Sequence, residues 1–98
     1  MALSQDANSS FFFNNSATGS GSHTCGASAN KLVVLVCYRD RTTTEPFGVS
    51  SITYNGANLT QSSAVAQNLW ATDNYNAIEI WYLDNPDTGS SYTVAVTL

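Results

Sequence analysis

One hydrophobic run dominates the pattern of apolar and polar positions in this sequence. Residues 32–38, with the sequence LVVLVCY, are apolar or nearly so and stand between Lys31 and Arg39. A continuous run of this length, without polar residues at alternate positions, predicts a strand that is buried on both faces. The protein must then place a layer of structure on each side of that strand.

The remaining apolar segments alternate with polar residues or are separated by turns, and none has the period of a helix. Residues 49–54 predict a strand that Asn55-Gly56 turns back as a type I′ hairpin, because both residues accept positive φ. We therefore predict an all-β fold, an immunoglobulin-like or jelly-roll-like antiparallel β-sandwich of seven or eight short strands.

Further strands are expected at residues 57–61, 77–83 and 91–98. The last of these should face inward with alternate residues, Tyr92, Val94, Val96 and Leu98. Residues 14–22 are expected to form a linker or turn, residues 62–69 a strand or coil, and residues 70–76 a turn-rich segment.

The N-terminal residues 1–10 are polar and are expected to form a flexible arm, and residues 11–98 a single β-sandwich domain. The aromatic run of Phe11, Phe12 and Phe13 predicts an ordinary first strand, with an exposed docking patch as the alternative. The sequence stops at Leu98, inside an apolar strand, so we expect that strand to be locked into a sheet or offered to a neighbour as a free edge.

The charge of the chain argues against nucleic acid as a partner. Lys31, Arg39 and Arg41 are the only lysine and arginine residues in 98 residues, and with seven acidic residues the formal net charge is −4. Nucleic acid is not expected as a partner, because phosphate binding needs a clustered basic surface. The longest apolar run is too short to cross a bilayer, so we do not expect membrane insertion. No secretory signal precedes Asn8, so the sequence is either a mature form with an added Met or that of a protein used without export by a leader.

Candidate chemistry is sparse. Cys25 and Cys37 predict either a disulfide or two buried thiols, while His23 and Cys25 are too few for a zinc site. Asp84, Asn85 and Asp87 supply oxygen atoms that suit Ca²⁺, but their spacing fits a plain turn better. Most acidic residues fall in expected loops and no nucleophile is framed by a motif, so we expect no enzyme activity, no cofactor and no bound metal.

Aromatic residues near one loop offer a different kind of site. Trp70 and Tyr75 could form a platform on which sugar rings stack, and the neutral Asn- and Ser-rich surface suits weak glycan binding. Burial of the other aromatic residues in the core is the simpler interpretation of the pattern.

Three segments together resemble a known family: NKLVVLVCYRD (30–40), VSSITYNGANLT (49–60), and IEIWYLDNP (78–86) running into YTVAVT (92–97). They are similar to immunoglobulin-like β-sandwich domains of bacterial surface proteins and phage virion proteins. As a short chain that starts at Met1, the protein looks like a stand-alone phage decoration (cement) protein. The alternative is a carbohydrate-binding or adhesive module of a bacterial surface or phage tail protein.

The resemblance implies a non-enzymatic structural protein of the virion, assembled in the host cytoplasm, which contacts capsid or other virion proteins and forms a homo-oligomer. The alternative implies an extracellular or cell-surface location. Attachment would involve the aromatic arm and the last strand, through Phe11, Phe12, Phe13 and Leu98.

Overall fold

The computed structural model describes residues 4–13, 16–40, 48–70 and 74–98, with the side chains of 39–40, 63–70 and 74–77 outside the description. It contains seven strands: β1 (Thr18–Thr24), β2 (Lys31–Asp40), β3 (Ser51–Tyr54), β4 (Ala57–Asn58), β5 (Thr60–Trp70), β6 (Asn74–Asp84) and β7 (Ser91–Thr97). The described ranges contain no helix, and therefore none of the length and apolar character needed to cross a membrane.

The strands form two antiparallel sheets. One sheet has four strands in the order β1-β7-β3-β4, and the other has three in the order β2-β6-β5. This confirms the predicted all-β sandwich. The first strand pairs with the last and the second with the last but one, which is the nested order of a jelly roll. A constant-type immunoglobulin domain instead pairs its first strand with its second.

The core lies between the sheets and is built mainly from alternate residues of β2, β3, β6 and β7. Ile52 and Tyr54 of β3 pair directly with Val96 and Val94 of β7, and all four side chains are buried. Each such side chain contributes about 1.5–3 kcal/mol by leaving water. The inward alternation predicted for residues 91–98 is confirmed, with Tyr92 and Leu98 packing at the margins of this cluster.

The predicted hairpin after β3 is also confirmed. Asn55 and Gly56 have φ values of 47° and 80°, as a type I′ turn requires. The returning strand β4 is only two residues long, because the chain then leaves this sheet at Leu59 and enters β5 of the other sheet. Leu59 is buried at this crossing and donates its N–H to the carbonyl of Ile52 at 2.9 Å.

The prediction that the hydrophobic run is buried on both faces was wrong. β2 turns Leu32 and Val36 into the core, but Val33 and Leu35 point away from it and remain 58% and 60% exposed. Within the described residues the protein has two layers, and β2 belongs to one of them, so one face of the strand has no layer to cover it. The lack of alternation in this run therefore indicates an apolar outer face of the strand and not a second buried face.

The strand assignments also decide the predictions for the N-terminal third and the chain end. Phe11, Phe12 and Phe13 do not form a strand, and β1 begins inside the segment expected to be a linker. β7 lies between β1 and β3, so its backbone is paired on both sides; of the two alternatives for the last strand, the one locked into a sheet is confirmed and the free edge is not. Of the segment 70–76, expected to be turn-rich, Trp70 ends β5 and residues 74–76 begin β6, while residues 71–73 lie outside the described residues.

Candidate functional site

The outward face of the three-stranded sheet carries the largest group of exposed apolar side chains among the described residues. Three cross-strand pairs of β2 and β6 build it: Val33 with Tyr82, Leu35 with Ile80, and Cys37 with Ile78. The four aliphatic side chains are between 38% and 60% exposed. We call this surface the outer patch, defined by Val33, Leu35, Cys37, Ile78, Ile80 and Tyr82.

One end of the outer patch is charged. Lys31 and Asp84 are opposite each other at the start of β2 and the end of β6, and their side chains form an ion pair at 3.1 Å. The Lys31 ammonium also lies 4.9 Å from the centre of the Tyr82 ring, within the range of a cation–π contact. Both charges are more than half exposed, so the pair contributes less than about 1 kcal/mol to stability and serves mainly as a polar rim.

Directly behind the outer patch, a buried carboxylate joins the two sheets. Glu79 of β6 is 2% exposed, and its Oε2 accepts the backbone N–H of Val49, just before β3, at 2.7 Å. Its Oε1 accepts hydrogen bonds from Gln61 Nε2 at 2.8 Å and from Trp81 Nε1 at 3.2 Å. Neutral donors therefore replace water around this carboxylate, as burial of a charge requires.

Tyr38 is a fourth partner of Glu79. Burial raises the pKa of the Tyr38 phenol to about 12, and the nearby charge of Glu79 and the hydrogen bond to it add to the shift. The phenol consequently stays protonated and acts as a donor. Both oxygens of Glu79 are engaged by donors, and the Val49 N–H reaches it from the other sheet, so the geometry supports a structural role for this carboxylate.

The N-terminal arm lies along β1 with a regular offset. The Asp6 carboxylate accepts the Gly26 N–H, Ser9 Oγ is 2.9 Å from His23 Nδ1, and the rings of Phe11 and Phe13 rest on Gly21 and Gly19. A Cβ atom at either of these two glycines would overlap the ring above it. Phe13 packs against the core and Phe12 is 94% exposed. Attachment through these phenylalanines, and the flexibility of residues 1–10, stay predictions.

The remaining candidate residues are dispersed. Cys25 is buried in the core and Cys37 is exposed on the outer patch; both thiols are free, so the structure contains neither the predicted disulfide nor two buried thiols. In the turn after β6, the Asp87 carboxylate accepts the Asn55 side-chain amide at 2.8 Å. The described residues contain no group of three acidic, histidine or cysteine side chains placed to bind a metal ion. Leu98 is half-buried against the core and donates its N–H to Ala17.

The proposed sugar platform falls outside the described side chains. Trp70 is the last residue of β5 and pairs with Asn74, and Tyr75 follows near the start of β6. Their backbones therefore meet at the same end of the three-stranded sheet. Glycan binding by these two residues stays a prediction.

Sequence reasoning missed the Glu79 cluster and the glycine contacts. Two signals were available: Glu79 lies two residues before the large aromatic Trp81, and therefore on the same face of β6, and the spacing of Phe11 and Phe13 matches that of Gly19 and Gly21. The outer patch was missed because its residues were assigned to the core. No protein-family model, curated protein or solved structure matches this chain.

Proposed function

We propose that this protein is a non-enzymatic binding module that attaches to another protein through its outer patch. The observation that carries the proposal is the exposure of Val33, Leu35, Ile78 and Ile80 together on one sheet face. Apolar surface of this kind has no role in a monomer's own core. It lowers solubility unless a partner covers it.

The composition of the patch suits a protein partner. The outer patch has an apolar centre and the Lys31–Asp84 pair at its rim, which is the arrangement typical of protein interfaces. An exposed sheet face suits another folded surface better than a small molecule, for which a concave site is usual.

The finer proposal is that the partner is a capsid or other virion protein and that this chain decorates a phage particle. Its support is the family resemblance and the low content of charged residues, 10% of the chain. The fold does not discriminate, because jelly-roll sandwiches occur in both viral capsid and lectin domains. The competing proposal, glycan binding through Trp70 and Tyr75, makes no use of the outer patch.

Purified phage particles provide the test. They are isolated by density-gradient centrifugation from cells that carry the gene for this protein. We expect the chain to sediment in the same band as the particles. The double variant Leu35→Lys/Ile80→Lys should bind particles from which this protein has been removed at least about tenfold more weakly, because two charges enter the apolar centre of the patch. The matched control is Ser22→Lys/Thr93→Lys, which places the same charges at directly opposed, exposed positions on the other sheet. It should bind like the unmodified chain.

Two results would refute the two levels of the proposal separately. A chain that never appears in the particle band refutes the virion assignment. Equal binding by the patch variant and the control refutes the outer patch as the attachment surface. Retention of both variants on a polysaccharide column, lost on replacing Trp70 with alanine, would establish the glycan alternative instead.

A further inference from the structure

The three-stranded sheet ends in an edge that has no partner among the described residues. β2 pairs with β6 on one side, and the pairing runs without interruption from Lys31–Asp84 to Asp40–Tyr75. On its other side no described strand lies along β2, and no described backbone group hydrogen-bonds to residues 32–37 from there. Within the described part of the chain, the backbone donors and acceptors along this side of residues 32–37 therefore have no partner.

The other sheet edges carry the features by which proteins avoid edge-to-edge association. β4 has two residues, and β5 has two register shifts and begins with the polar sequence TQSS. β1 contains no apolar side chain and is accompanied by the N-terminal arm. β2 has none of these features: it is long and regular, without proline or glycine, and residues 32–38 carry no charge.

We propose that the free edge of β2 pairs with β2 of a second copy of this chain, antiparallel about a two-fold axis. The two three-stranded sheets then become one continuous sheet of six strands. This inference concerns the edge and does not rest on the proposed use of the outer patch. It also explains the outer patch's extension onto an edge strand, because Val33 and Leu35 gain apolar neighbours across the axis.

Charge distinguishes two registers of this pairing, with the two-fold axis at Leu35 or at Val34. A two-fold axis at Leu35 would place Lys31 opposite Arg39 of the second copy twice, and directly opposed like charges are destabilising. An axis at Val34 places Lys31 opposite Cys37 and Val33 opposite Leu35, with no like charges opposed. Four charged residues lie at the ends of β2 and β6 beside this edge, and their formal charges sum to zero: Lys31, Arg39, Asp40 and Asp84. The net charge of −4 therefore lies elsewhere and does not oppose the approach of two copies.

Light scattering on the full chain, over a wide range of concentration, tests the pairing. We expect the mass to rise to twice that of one chain as concentration increases, and Leu35→Lys to raise the dissociation constant at least about tenfold because it puts a charge on the edge strand. The matched control is Ile80→Lys. Ile80 lies directly opposite Leu35 on the same face, but on the central strand β6, so the dimer should persist.

Cross-linking tests the register. Chains with Val33→Cys and chains with Leu35→Cys, both carrying Cys37→Ser, are mixed and oxidised with diamide, which takes up the two protons and two electrons released by the thiols. The axis at Val34 brings these positions to about 5 Å between Cα atoms, within disulfide range. We expect the mixture to cross-link and each variant alone to remain uncross-linked.

The possible outcomes are distinct. A chain that stays monomeric at every concentration overturns the proposal, as does a β2 edge whose amide hydrogens are equally protected from exchange at low and high concentration. Loss of the dimer in both Leu35→Lys and Ile80→Lys indicates that copies stack through the outer patch, which also overturns edge pairing. None of these results bears on whether the chain binds virion particles.

Discussion

Replacing Glu79 with alanine is expected to lower the free energy of unfolding by about 3–5 kcal/mol. The substitution removes the acceptor for the Val49 N–H, the Trp81 indole and the Gln61 amide. Each buried donor left without a partner costs about 1–3 kcal/mol, and the space vacated by the side chain adds to that cost. Because small domains have only about 5–15 kcal/mol of stability, urea unfolding should show a much lower midpoint.

Two matched variants distinguish the contribution of the Glu79 hydrogen bonds to stability from the contribution of its negative charge. Glu79→Gln keeps the volume and one acceptor oxygen but turns an NH₂ group toward existing donors, so we expect an intermediate loss of about 2 kcal/mol. Asp84→Asn removes an exposed carboxylate on the same strand and should cost less than about 1 kcal/mol. Replacement of Glu79 should also lower the pKa of Tyr38, since its charge and hydrogen bond raise that value. Equal stability of all three variants would contradict the proposed role of Glu79.

Gly19→Ala should have the second largest effect, a loss of about 1–2 kcal/mol. The added methyl group overlaps the Phe13 ring, which packs against the core, so either the ring or strand β1 must move. In a strand without such a contact, the same substitution is normally favourable by about 0.5–1 kcal/mol, because glycine loses more conformational entropy on folding. The sign of the effect therefore reports the contact itself.

A double-mutant cycle makes this explicit. In the background of Phe13→Ala, where the ring is absent, Gly19→Ala should become neutral or stabilising. Gly48→Ala is the matched control, because a Cβ atom there meets only the Glu79 carboxylate at 3.7 Å, an ordinary contact. If Gly19→Ala changes stability by the same amount with and without the Phe13 ring, the arm does not pack on β1 as described.

The sequence alone correctly predicted the strands whose two faces differ in polarity. Residues 91–98 alternate between large apolar and small or polar side chains, so only one face of this strand can be the buried one. Asn55-Gly56 was equally informative, because few residue pairs accept positive φ at both positions. These local rules predicted the sandwich without knowledge of the strand order.

The errors have a common physical origin. Residues 32–38 are apolar on both faces whether the second face meets a layer, a partner or water, so composition alone could not identify β2 as an edge. Residues 18–22, with the sequence TGSGS, fall in the predicted linker because glycine and serine weaken a strand. They form a strand because their backbone pairs fully with β7 and their glycines leave room for aromatic rings from the arm.

Thiol labelling under native conditions tests most directly whether the hydrophobic strand turns one face outward. With a disulfide reagent that releases a coloured thiolate, the account predicts that one thiol per chain reacts rapidly, that Cys37→Ser abolishes this reaction, and that Cys25 reacts only as fast as the domain unfolds. Protection of both thiols, or rapid labelling of Cys25 in the Cys37→Ser variant, would contradict it.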